Sequence, residues 1–80
     1  MTWDEVFSLV CRKAAAVLSR ADIDDVDPET SLTSLGANSL DRMDIVVMSQ
    51  DELDISVPAA AFADVRNLRQ LVDVLHAHCG

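Results

Sequence analysis

The stretch Leu35–Asp44, LGANSLDRMD, decides how this chain is read. Gly36 is the only glycine before the last residue, so it marks the one interior point where the backbone turns without steric penalty. Asn38 is a strong helix N-cap, and Asp41, three positions on, favours the positive end of a helix dipole. The stretch therefore predicts a turn at Gly36 and a helix beginning at Ser39. Ser39 falls in the first turn, where N–H groups without helical partners make an anion-tolerant site.

Downstream, the helical pattern runs to about Leu53 and has two apolar sides. Leu40, Met43 and Val47 follow i, i+3, i+7 spacing on the side of Ser39, bordered by Asp44 and Asp51. Ile45, Met48 and Leu53 fall on a different side, with Val46 between the two. A short helix in a domain this small buries one such face against the core and leaves the other at least partly exposed. Exposed apolar residues rimmed with acid form a docking surface. The alternative is a central helix buried on most sides.

Upstream, Thr2 and Glu5 have capping-box spacing, which predicts a helix running to Leu18 or Ser19. At 100° per residue Trp3, Val6, Phe7, Val10, Cys11, Ala14, Val17 and Leu18 share an arc of about 140°, the expected buried face, with Cys11 as a small core hydrophobe. Residues 20–38 carry Pro28, Gly36 and a cluster of Asp, Ser and Thr, and read as a long loop pinned by Ile23, Val26, Leu32 and Leu35. The acidic DIDDVD is no EF-hand: a calcium loop starting at Asp22 needs Gly at its sixth position and Glu at its twelfth, where this chain has Asp27 and Thr33.

Beyond the second helix, Asp54–Val57 reads as a short extended or turn segment, and Pro58 suits the first position of a helical turn through Ala59–Phe62. Asn67 caps a last helix with Gln70 in the reciprocal position, and Leu68, Leu71, Val72 and Leu75 form its stripe. The expected fold is all-α: a small bundle of three main helices plus one short helix, with a long loop between the first and second helices, in a single domain over residues 1–80.

Composition narrows the partners. Six basic and fourteen acidic residues in 80 give a net charge of −8, a field that disfavours nucleic acid and anionic membrane and speeds encounter with a basic patch. Cys11 and Cys79 are far apart and in no metal-ligand spacing, which predicts reduced thiols in a cytoplasmic protein rather than a disulfide or zinc framework. The N-terminal MTWDEVFSL is acidic where a signal peptide is basic, and no apolar run reaches the ~18 residues of a membrane helix. His76 and His78 are two apart on the last helix and do not share a face, so no metal site is predicted.

A serine nucleophile needs a base and an orienting group, and the chain offers neither a G-x-S-x-G elbow nor a histidine outside the end of the last helix. No catalytic residue is expected. The arrangement suits a serine modified by another protein and then presented, with a phosphodiester where the helix dipole tolerates negative charge.

Leu35–Leu40, L-G-A-N-S-L, resembles the L-G-x-D-S-L motif of acyl carrier proteins, and the order of elements resembles that family over essentially the whole chain. The resemblance implies that Ser39 carries 4′-phosphopantetheine, transferred from coenzyme A by a phosphopantetheinyl transferase, with acyl groups held on its thiol. It also implies that the helix starting at Ser39 is the main recognition surface. Asn38 stands where the family usually has aspartate; Asn caps as well as Asp does, and any part that carboxylate plays in metal-assisted attachment falls to Asp41.

The longer string LGANSLDRMDIVVM looks more like the free-standing carriers of polyketide β-branching cassettes than like fatty-acid carriers. This implies a monomeric donor, served by an acyltransferase and a decarboxylating ketosynthase, that brings an acetyl group, directly or by way of malonyl, to a 3-hydroxy-3-methylglutaryl (HMG) synthase-like enzyme. Leu40, Asp41, Arg42, Met43, Asp44 and Val47 are then the recognition residues, with Arg42 as a charged rim contact and Met43 as an adaptable apolar one. Three other readings remain: a general polyketide or fatty-acid carrier; a peptidyl or aminoacyl carrier, whose motif more often reads G-G-x-S; and an acidic helical adaptor with no prosthetic group.

Overall fold

The computed structural model describes residues 1–19 and 27–79. The order is α1 (Trp3–Leu18), a 3₁₀ helix (Thr33–Leu35), α2 (Ser39–Leu53), a second 3₁₀ helix (Ala59–Phe62) and α3 (Leu68–Ala77). The fold is all-α as expected, and among the described residues the one strand-like pairing is an isolated antiparallel bridge between Ser31 and Asn67.

Each main helix begins where its side chains satisfy the orphan N–H groups of the first turn. At α1, Thr2 Oγ1 accepts from Glu5 N–H at 3.2 Å while Glu5 Oε1 accepts from Thr2 N–H at 2.8 Å. These bonds hold the Glu5 carboxyl below its ordinary pKa. At α3, Asn67 Oδ1 accepts from Gln70 N–H at 2.9 Å, but Gln70 does not reciprocate to Asn67. Its Oε1 reaches one residue further and accepts from Arg66 N–H at 2.7 Å. The bridge between Ser31 and Asn67 is made by the residues on either side of Asn67, with Leu68 N–H donating to Thr30 O and Leu32 N–H to Arg66 O.

Helix α1 packs against both α2 and α3, which changes its predicted buried face. Val6, Val10, Cys11 and Ala14 are buried as expected, whereas Trp3, Phe7, Val17 and Leu18 are only half-buried. Leu9, about 60° outside the predicted arc at 100° per residue, is buried as well. A helix flanked on two sides needs a wider apolar face than one laid on a single neighbour. Val6, Val10, Cys11 and Ala14 join Leu32, Leu35, Ala37, Ile45, Val65, Leu68, Leu71, Val72 and Leu75 in the core, each large side chain contributing about 1.5–3 kcal/mol by leaving water. At the edges, Trp3 Nε1 donates to Asp73 Oδ1 at 2.7 Å, and Lys13 pairs with Glu52 at 3.1 Å.

Two loop expectations need correction. The loop holds a 3₁₀ turn over Thr33–Leu35, too short to leave a helical stripe in the sequence, and Leu32 and Leu35 are the buried pins there. Ile23, Val26 and the start of the excluded calcium loop lie outside the described residues. Pro58 stands just before the second 3₁₀ helix rather than inside it, because its ψ of 141° is extended; its carbonyl accepts from Ala61 N–H at 2.9 Å.

Candidate functional site

Gly36 closes the first 3₁₀ helix at a φ of 88°, and its N–H donates to Thr33 O at 3.0 Å. A Cβ there would meet nothing within 4 Å, so the glycine is required by backbone conformation alone. Ala37 then tucks into the core and Asn38 turns outward in an extended conformation to start α2.

The cap of α2 is a complete reciprocal box. Asn38 Oδ1 accepts from Asp41 N–H at 2.9 Å, and Asp41 Oδ2 accepts from Asn38 N–H at 3.2 Å. Both side chains beside Ser39 are thus engaged with the backbone, and the exposed Ser39 is left out of these bonds at the first helical position. The residue is exposed at the positive end of a helix, where negative charge is electrostatically favoured.

Of the expected recognition residues, Leu40, Met43 and Val47 are 71%, 62% and 49% exposed, and Asp44 is exposed beside them. On the other side Ile45 is buried, and Met48 and Leu53 are half-buried. The helix is therefore not buried all round. Arg42 departs from its expected place at the rim: it is half-buried, and its Nη2 donates to the main-chain oxygen of Val65 at 2.8 Å.

An apolar cleft of about 430 Å³ opens beside Ser39, between α2 and the second 3₁₀ helix; Met43, Val46, Phe62 and Leu71 line it. No local signal in the sequence marks this cleft, because its walls come from segments far apart along the chain. His76 and His78 sit at the far end of α3, where His78 Nδ1 lies 2.9 Å from Val74 O. No cluster of three metal-ligating side chains occurs among the described residues, and none of their helices is long and apolar enough to cross a membrane.

A family model described as the phosphopantetheine attachment site matches residues 8–75. This chain belongs to the acyl carrier protein family. The carrier is 30% identical over 76 residues to the polyketide biosynthesis acyl-carrier-protein AcpK of Bacillus subtilis (strain 168), covering 95% of this chain and 93% of that one. It is also 30% identical over 76 residues to an acyl carrier protein of Cyanidioschyzon merolae (strain NIES-3377 / 10D), covering 94% of this chain and 78% of the relative. Its fold matches, with a TM-score of 0.86 and 23% identity, a chain in the crystal structure of the Curacin biosynthetic pathway HMG synthase in complex with acetyl donor-ACP, over 96% of this chain and 99% of that one. The prosthetic group of this carrier is 4′-phosphopantetheine.

Proposed function

We propose that this carrier bears its phosphopantetheine arm on Ser39 and delivers acetyl groups to an HMG synthase-like enzyme for β-branching in polyketide biosynthesis. The observation that carries the attachment site is the position of Ser39: exposed, first in α2, and flanked by a cap that engages Asn38 and Asp41 but not the serine. That geometry fits the group, since the free first-turn amides favour the phosphate and solvent access lets a transferase reach the hydroxyl. When bound, the arm supplies a terminal thiol that holds the acyl group as a thioester. The chain itself supplies position and recognition, with the chemistry done by its partners.

The donor role is supported by the polyketide relative and by a fold shared with the acetyl donor carrier of an HMG synthase complex. The recognition surface is the exposed trio Leu40, Met43 and Val47 with Asp44 at its edge, an apolar strip in an acidic field suited to a basic partner surface. A phosphopantetheinyl transferase, an acyltransferase and a decarboxylating ketosynthase complete the set of partners, all in the cytoplasm.

Attachment is tested by incubating the protein with coenzyme A and a broad-specificity transferase and recording the intact mass. A gain of one phosphopantetheine that disappears in Ser39→Ala is expected. No gain where a control carrier is modified would sink the assignment. The donor role is tested by offering acetyl-loaded protein to a β-branching synthase and to a fatty-acid ketosynthase. Preference for the synthase is expected, and preference for the ketosynthase would make this a general carrier.

A further inference from the structure

The outer wall of the cleft is the segment from Val57 to Val65. Its two ends are buried valines, Val57 at 7% and Val65 at 5% exposure. Between them Pro58–Ala61, Ala63 and Asp64 are exposed, and only Phe62 turns partly inward. The backbone bonds within the segment are local: Ala61 N–H to Pro58 O, Ala63 N–H to Ala60 O and Val65 N–H to Phe62 O. Among the described residues no backbone bond joins this segment to α2.

What crosses to α2 is one side chain at each end. Gln50 Oε1 accepts from Val57 N–H at 2.7 Å, and Arg42 Nη2 donates to Val65 O at 2.8 Å; both bonds are partly buried. The two residues lie eight positions apart on α2, about 12 Å along its axis at the usual rise, and both line the cleft. Three consecutive alanines, Ala59–Ala61, give the wall little side chain with which to hold itself.

We propose that Arg42 and Gln50 are positioning residues that fasten segment 57–65 to α2 at its two ends, making it a hinged wall whose placement sets the width of the cleft beside Ser39. Val65 belongs to the core cluster and Phe62 packs against it, so losing either bond loosens the exposed stretch between these buried anchors without opening the core. The fastening holds whether or not Ser39 is modified; only the identity of what the cleft admits rests on the carrier reading.

Amide-resolved hydrogen exchange on the unmodified protein tests this directly, independently of any loading reaction. In Arg42→Ala, the amides of Ala61, Ala63 and Val65 should exchange at least about tenfold faster, the factor that follows from losing a hydrogen bond to a charged donor. Protected amides of α1 and α3 should keep their rates. Gln50→Leu should accelerate Val57 by about two- to tenfold, the range for a bond between neutral groups, while Gln50→Glu, which keeps an oxygen at the acceptor position, should preserve it. Uniform acceleration in every helix, an unchanged wall, or Gln50→Glu behaving like Gln50→Leu would each overturn the proposal.

Discussion

Ser49 sits inside α2 with no exposure, and its Oγ has no hydrogen-bond partner among the described residues. A buried hydroxyl without a partner forfeits its hydration, a loss of about 1–3 kcal/mol. Ser49→Ala removes that loss and adds the better helix propensity of alanine, about 0.5 kcal/mol at an interior position. Against this stands the small void left by one oxygen atom, which costs less than the deletion of a methyl group would. The net expectation is a stabilisation of about 1.5 kcal/mol. For a domain of this size that raises the melting temperature by roughly 6–12 °C. Thermal unfolding followed by circular dichroism at 222 nm, checked by urea denaturation with an unchanged slope, reads it out. A lower melting temperature would refute the reasoning, since it would mean that Oγ has a partner, such as a buried water bridging it to backbone.

Three further outcomes follow from single contacts. Asn38→Ala should cost about 1 kcal/mol in urea unfolding, whereas Asn38→Asp should stay within a few tenths because Asp caps equally well; equal losses in both would show that the box is not what holds the start of α2. Folding holds the Glu5 carboxyl below its ordinary pKa, so its contribution is present at neutral pH and lost as acidification passes from the unfolded-state value down through the folded one. The urea midpoint of wild type should therefore fall more steeply than that of Glu5→Gln below about pH 5, and parallel curves would count against the box. Met43→Ala should leave stability within about 0.5 kcal/mol, since the side chain is exposed, yet slow acetyl transfer to the synthase-like partner; an unchanged rate would remove Met43 from the recognition surface.

What the sequence made legible is what local geometry determines. Capping residues lie three positions from the amides they satisfy, so the Thr2–Glu5 box and the Asn38 cap could be read directly, and α1 and α2 begin where those caps put them; the reciprocal bond from Asn38 N–H to Asp41, expected only as a dipole partner, came from the structure. The i, i+3, i+7 spacing on α2 likewise separated the exposed Leu40, Met43 and Val47 from the buried Ile45. Contacts between distant segments left no such trace. Leu9 is buried because two helices flank α1, Gln70 accepts from Arg66 N–H rather than from Asn67 N–H, and Arg42 turns inward toward a carbonyl 23 positions away. A lone arginine on an acidic helix reads as a rim charge until the chain folds back to offer it an acceptor.

That inward turn changes what an Arg42 variant means. Arg42→Glu alters the charge beside Ser39 and also removes the donor to Val65 O, so a slower transfer alone does not say which change is responsible. It should also loosen the wall locally, as Arg42→Ala does, while the core helices keep their protection. Gln50→Leu separates the two effects, because it loosens the same wall from its other end while leaving the charge beside Ser39 as it was. If Arg42 is read by the partner, Arg42→Glu should slow acetyl transfer well beyond Gln50→Leu at matched folded fraction. Equal slowing in the two variants would refute direct recognition and assign the effect to the cleft wall. In either case Asp41 is constrained: one of its oxygens caps Asn38, so only the other is left for any ion or partner that approaches the serine.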